Sequence, residues 1–133
     1  MKHLMPRAVL MSAYQSDKPL GVNMLAQADL IKVLDRDHAR FTSLTGCYAG
    51  VLEESVAVFP ESDWQVLWLL QLANSFGQES ILVREMDGSC FLIFCRGGTR
   101  SQEYIGQWTQ ISEQRALSLV AYSKKGNTFF AAI

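Results

Sequence analysis

Two short stretches place acidic side chains where a strand is about to bury itself. One is Glu53-Glu54-Ser55-Val56-Ala57-Val58, and the other is Gln78-Glu79-Ser80-Ile81-Leu82-Val83. Neighbours along a strand face opposite sides, so each pair sends one member inward and leaves one in water. A third polar cluster, Ser12-Ala13-Tyr14-Gln15, closes the apolar run that begins at Ala8, and Tyr48 stands just ahead of the first acidic pair. Carboxylates beside a tyrosine suit three kinds of chemistry: holding a cation by charge, general acid–base work, and binding a hard metal. The competing assignment is that each glutamate only solvates the end of a strand.

These residues need a sheet to bring them together, and the chain has the elements for one. Ala8 to Gln15 predicts a first strand, and Pro19 with Gly21 breaks the chain after it. Asn23 is positioned to cap a helix reaching about Asp37, with Ala26, Leu30, Val33 and Leu34 as its inner stripe. Leu44–Val51 and Glu54–Pro60 predict two strands joined in a hairpin around Leu52 to Glu54. Ser62 and Gln65 have capping-box spacing at the start of a second helix, and Gly77 is its stop. Asp87-Gly88 is a hairpin signal between two further strands, and a last pair, Ala116–Ser123 and Thr128–Ile133, flanks Lys124 to Asn127. The stretch from Gly97 to Ser112 predicts mostly loop, a connector or a lid carrying Tyr104 and Trp108. The expected class is α+β, a single domain over residues 1–133: a ferredoxin-like βαββαβ core with an extended antiparallel sheet. In that plan the third and fourth strands flank the first, and all three polar clusters meet at one edge.

Composition bounds the rest. A chain of 133 residues with 49% apolar side chains and a net charge of −1 is a globular composition. The near-neutral balance argues against nucleic acid as a partner and against an acidic DNA mimic. Cys47, Cys90 and Cys95 lack the spacing for a metal cage, and free thiols fit the cytoplasm. The interrupted apolar run near Pro6 and Arg7 predicts no secretory signal, and no run reaches membrane-spanning length. His3 and His38 are not spaced as a metal or triad pair, so no metal site is expected. Ser12, Ser55 and Ser80 have no nucleophile-elbow context, and neither a dinucleotide fingerprint nor a P-loop occurs.

Several segments, in order, resemble the phage S-adenosylmethionine lyases: Val9–Asp17 followed by Val22-Asn23-Met24, then Leu44–Tyr48, Glu53–Val58 and Leu72–Val83. The resemblance covers roughly Val9 to Gly97. It implies an enzyme that degrades S-adenosylmethionine (SAM) to 5′-methylthioadenosine and homoserine lactone, with SAM as substrate and no cofactor. It implies Glu53, Glu79 and Tyr48 as the catalytic group, and Gln78, Ser12, Tyr14 and Asn23 as substrate contacts. It also implies a homo-oligomer, with a trimer favoured. The alternatives are a PII-like sensor that binds SAM or a nucleotide without turnover, a phage module that binds a host partner, and a true SAM hydrolase.

Overall fold

The computed structural model describes residues 4–95 and 101–133. His3, and the part of the expected loop that covers residues 97–100, lie outside the described residues. In chain order the elements are β1 (Ala8–Met11), α1 (Leu20–Arg36), β2 (Phe41–Tyr48), β3 (Val51–Val58), α2 (Asp63–Ser75) and β4 (Ser80–Arg84). They continue with β5 (Ser89–Phe94), β6 (Gln102–Ile111), a short α3 (Glu113–Leu117), β7 (Ala121–Lys125) and β8 (Thr128–Ala132).

The helix boundaries follow from local chemistry. The Ser62 hydroxyl accepts from the Gln65 amide and caps α2, and Gly77 at φ +77 ends it in the left-handed region. Helix α1 starts earlier than expected, with Pro19 at its N-cap; Asn23 lies inside the helix and is buried. The first hairpin also differs from expectation. It turns at Ala49 and Gly50, both at positive φ, the geometry that a two-residue turn between twisted strands requires. Glu53 therefore sits within β3, opposite Gly46, and not in the turn.

The sheet is where expectation fails. β1 does lie between β3 and β4, but the sheet is not an open, extended ferredoxin-like one. All eight strands form a closed antiparallel barrel in the order β1-β3-β2-β7-β8-β6-β5-β4. Closure comes from the segment expected to be loop. β6 pairs with β5 on one side and β8 on the other, while β7 pairs with β2. A register shift between Cys90 and Phe91, and Gly106 at φ +125, give the β5–β6 ladder the bend that a small barrel needs. The expected strand from Ala116 is likewise replaced by α3, and β7 begins only at Ala121.

Alternation divides the barrel wall into two faces. Val9, Met11, Val56, Val58, Ile81 and Val83 point outward into one core with Leu30 and Leu34 of α1 and Leu69 and Leu70 of α2. Leu69 is fully buried there, so Leu69→Ala is expected to cost about 2–5 kcal/mol in chemical denaturation. The opposite face is the barrel interior. Residues paired across an antiparallel ladder share a face. The pairs Leu10–Ala57, Leu10–Leu82 and Leu82–Leu92 therefore lie inside, as do Glu53–Gly46 and Gly46–Ser123.

Candidate active site

One mouth of the barrel opens into a cavity of about 540 Å³, within the range of small-molecule sites. Of the residues singled out from sequence, Ser12, Tyr48, Glu53 and Gln78 line it. They arrive from different elements: Ser12 just past β1, Tyr48 at the end of β2, Glu53 on β3 and Gln78 between α2 and β4. Each acidic pair divides as alternation demands. Glu53 is half-buried on the cavity wall and Glu54 is exposed; Gln78 is half-buried on the wall and Glu79 is exposed.

Glu79, Tyr14 and Asn23 do not line the cavity. Glu79 offers its carbonyl to the Cys95 amide at 2.9 Å. Tyr14 is buried behind the wall, and its carbonyl accepts from Gln78 Nε2 at 2.6 Å. Asn23 turns its amide to the backbone of Gln15.

Electrostatically the site is built around Glu53. Burial pushes its carboxyl above the ordinary glutamate range. The Tyr14 phenol is also pushed up, first by burial and then by the charges of Glu54 and Glu53. The rim is apolar and open: Tyr48 is 66% exposed and Val120 65%. Ser12 is tied down, its hydroxyl donating to the Glu54 carbonyl at 2.6 Å and accepting from the Tyr14 amide at 3.1 Å. The arrangement offers a partly desolvated carboxylate, an amide and an aromatic ring around a space of ligand size. A cation with an apolar or aromatic body fits it.

Several lining residues had no sequence signal. Gly46, Ser55, Ser80 and Ser123 are small residues that keep the interior free, and only the strand register identifies them as a group. Trp108, expected on a connector or lid, stands instead within β6 and brings aromatic surface to the wall, and β7 contributes Tyr122. Trp108 stacks on Phe130 with ring centroids 5.3 Å apart, and the Arg84 guanidinium lies 5.5 Å from its centroid. Among the described residues, no three His, Cys, Asp or Glu side chains come together as a metal site.

The family model described as S-Adenosylmethionine lyase family matches residues 9–133. The chain belongs to the S-adenosylmethionine lyase family. The match runs beyond the Val9–Gly97 segments that carry the motifs and takes in β6, β7 and β8, the strands that close the barrel of this lyase-family chain. No curated protein matches it. No helix among the described residues of this family member is long and apolar enough to cross a membrane.

Proposed function

We propose that this protein cleaves SAM by intramolecular displacement. A carboxylate oxygen of the substrate's methionine portion attacks its own γ-carbon, the C–O bond forms, and the C–S bond breaks. The bonding pair returns to sulfur, so the sulfonium leaves as neutral 5′-methylthioadenosine and the remainder closes to homoserine lactone. Neither a protein nucleophile nor a cofactor enters that balance. The protein's task is to fold the chain so that oxygen and carbon approach to roughly 3–3.5 Å, in a site with little water.

The observation that carries this reading is Glu53, a half-buried carboxylate on the wall of a SAM-sized cavity in a chain of this family. Its charge would face the substrate's sulfonium or ammonium. Tyr48 would lay its ring or hydroxyl against the methionine portion at the rim. Gln78 and Ser12 would be wall contacts. Glu79, outside the cavity, would act at longer range, and Tyr14 and Asn23 from behind the wall. Action in the cytoplasm and assembly as a homotrimer are part of the proposal, the latter supported by the exposed apolar side chains of Tyr48, Val51, Leu52 and Val120.

The test is to incubate the purified protein with SAM and follow products by liquid chromatography and mass spectrometry. Methylthioadenosine with early homoserine lactone supports the lyase. Homoserine appearing from the start without lactone means hydrolysis, and intact SAM despite measurable binding means a sensor.

The raised Glu53 carboxyl predicts the pH dependence. Below its pKa the group is neutral and cannot hold a cation, so kcat/KM should rise with pH through a limb above the ordinary glutamate range. Residual activity of a Glu53→Gln variant should lack that limb. Stability runs the other way. The folded state holds this proton more tightly than the unfolded chain, so the group's contribution falls as pH climbs from the ordinary value through the raised one. Stopped assays across acidic buffers, alongside melting curves, read both slopes.

A further inference from the structure

The buried stripe of α1 is Asn23, Gln27, Leu30 and Leu34, one residue per turn on a single face. Leu30 and Leu34 do the expected work against the outer face of the sheet. Asn23 and Gln27 continue the same stripe past the end of β1, which leaves the ladder after Met11. Beyond that point the backbone runs buried with no neighbouring strand, and its polar groups need partners. The two amides supply them. Gln27 Oε1 accepts from the Ala13 N–H at 2.9 Å, and Asn23 Oδ1 accepts from the Gln15 N–H at 2.9 Å. Asn23 Nδ2 returns a bond to the Gln15 carbonyl at 3.0 Å. Four residues along the helix match two residues along the segment, the repeat of a β-ladder.

The other side of this segment holds the cavity wall. The Tyr14 carbonyl takes the Gln78 Nε2 bond at 2.6 Å, and Gln15 Nε2 donates to the Phe76 carbonyl at 3.0 Å. Gly77 is pressed against that bond: a Cβ there would come within 2.6 Å of Gln15 Nε2. One N–H of Gln78 Nε2 is thus held by Tyr14, and with the NH₂ end fixed there the carbonyl oxygen is the end left to face the cavity. With Glu53 also lining the cavity, the wall then presents acceptors, the polarity that a cationic ligand needs.

We propose that Asn23 and Gln27 are positioning residues: acting as a strand built from side chains, they fix Ala13–Gln15 so that Gln78 turns an acceptor, not a donor, toward the ligand. This rests on the reading of the cavity as a SAM site. If the segment shifts, the Tyr14 carbonyl withdraws and Gln78 is free to turn its NH₂ toward the cation.

Gln27→Met and Gln27→Glu separate this role from mere packing. Both are close to the native length, but only glutamate keeps the acceptor for Ala13. The expected result is that Gln27→Met raises KM for SAM roughly tenfold to a hundredfold, the worth of one hydrogen bond to a charged group. Gln27→Glu should restore KM to near wild type. A Gln27→Met protein that stays folded with unchanged KM overturns the proposal, as does an equal loss in both variants.

A second readout does not need turnover. Nuclear magnetic resonance should find the Gln78 side-chain NH₂ protons protected from exchange in the wild type and in Gln27→Glu, and unprotected in Gln27→Met or Asn23→Ala. Unprotected protons in the wild type overturn the proposal without any variant. If they are protected in this pattern while SAM is left intact, the coupling stands and it is the lyase reading that fails.

Discussion

Glu53→Gln is expected to lower kcat/KM for SAM by about a hundredfold to a thousandfold while the barrel stays folded. The substitution keeps size and hydrogen-bonding capacity and removes one charge. Taking one partner from a desolvated charge pair costs about 2–5 kcal/mol, and each 1.4 kcal/mol is tenfold in rate. Folding should be untouched or slightly improved. Burial disfavours the ionised carboxylate, so the neutral amide removes an unfavourable term from the folded state. Loss of activity with an unchanged or higher melting temperature is therefore the signature. Glu54→Gln is the matched control, since Glu54 is exposed beside it and off the cavity wall. If Glu54→Gln is the damaging change and Glu53→Gln is not, the inward and outward assignments are reversed and the site is not in the barrel interior.

The second large effect is expected at Gly46. This residue faces the interior directly opposite Glu53, and a Cβ there would come within 3.1 Å of Ser55 Oγ. Its backbone is ordinary strand, which β-branched residues favour, so Gly46→Val should fold. Its methyl groups would occupy space beside Glu53. KM for SAM is expected to rise at least about tenfold, with kcat falling as the reacting atoms are displaced. Gly46→Ala should show a smaller loss in the same direction. Steady-state kinetics of both variants, with melting temperatures as the folding check, decide it. Wild-type kinetics in Gly46→Val would mean that the ligand stays at the rim around Tyr48 and does not enter the barrel.

These two positions also show what was legible in the sequence. Alternation shows that Glu53-Glu54 and Gln78-Glu79 must each divide between two faces, but not which face holds a ligand. Val56, Val58, Ile81 and Val83 pack against the helices, so the cavity takes Glu53 and Gln78 from the other face, and Glu79, expected in the catalytic group, stays off the wall. Gly46 could not be found, because its meaning comes from the residue across the ladder and not from its neighbours in the chain.

Asn23 was legible as a polar residue at a helix start. Its burial was not, because the need it meets is a stretch of backbone after β1 that has left the sheet. Barrel closure was hidden for a related reason. The β6 sequence Gln102–Ile111 carries no clean polar–apolar alternation: it opens on Gln102-Glu103, is interrupted by Gly106 and runs through the polar pair Thr109-Gln110. Its strand character comes from pairing with β5 and β8, and so from tertiary context.

Closure has a consequence for how the molecule comes into being. The two seams that complete the ring join Ala8 to Arg84 and Tyr48 to Ala121, partners far apart in the chain. Such pairings carry a loop-closure entropy that must be met before their contacts contribute, which slows folding of β-rich chains. The cavity has walls on β3 and on β7 and β8, so it does not exist until the last strands have docked. During synthesis the polypeptide would carry Glu53 out of the ribosome well before Tyr122 and Ser123. Ligand competence is thus a late event in the life of each chain, reached at the final step of assembly and not on the way to it.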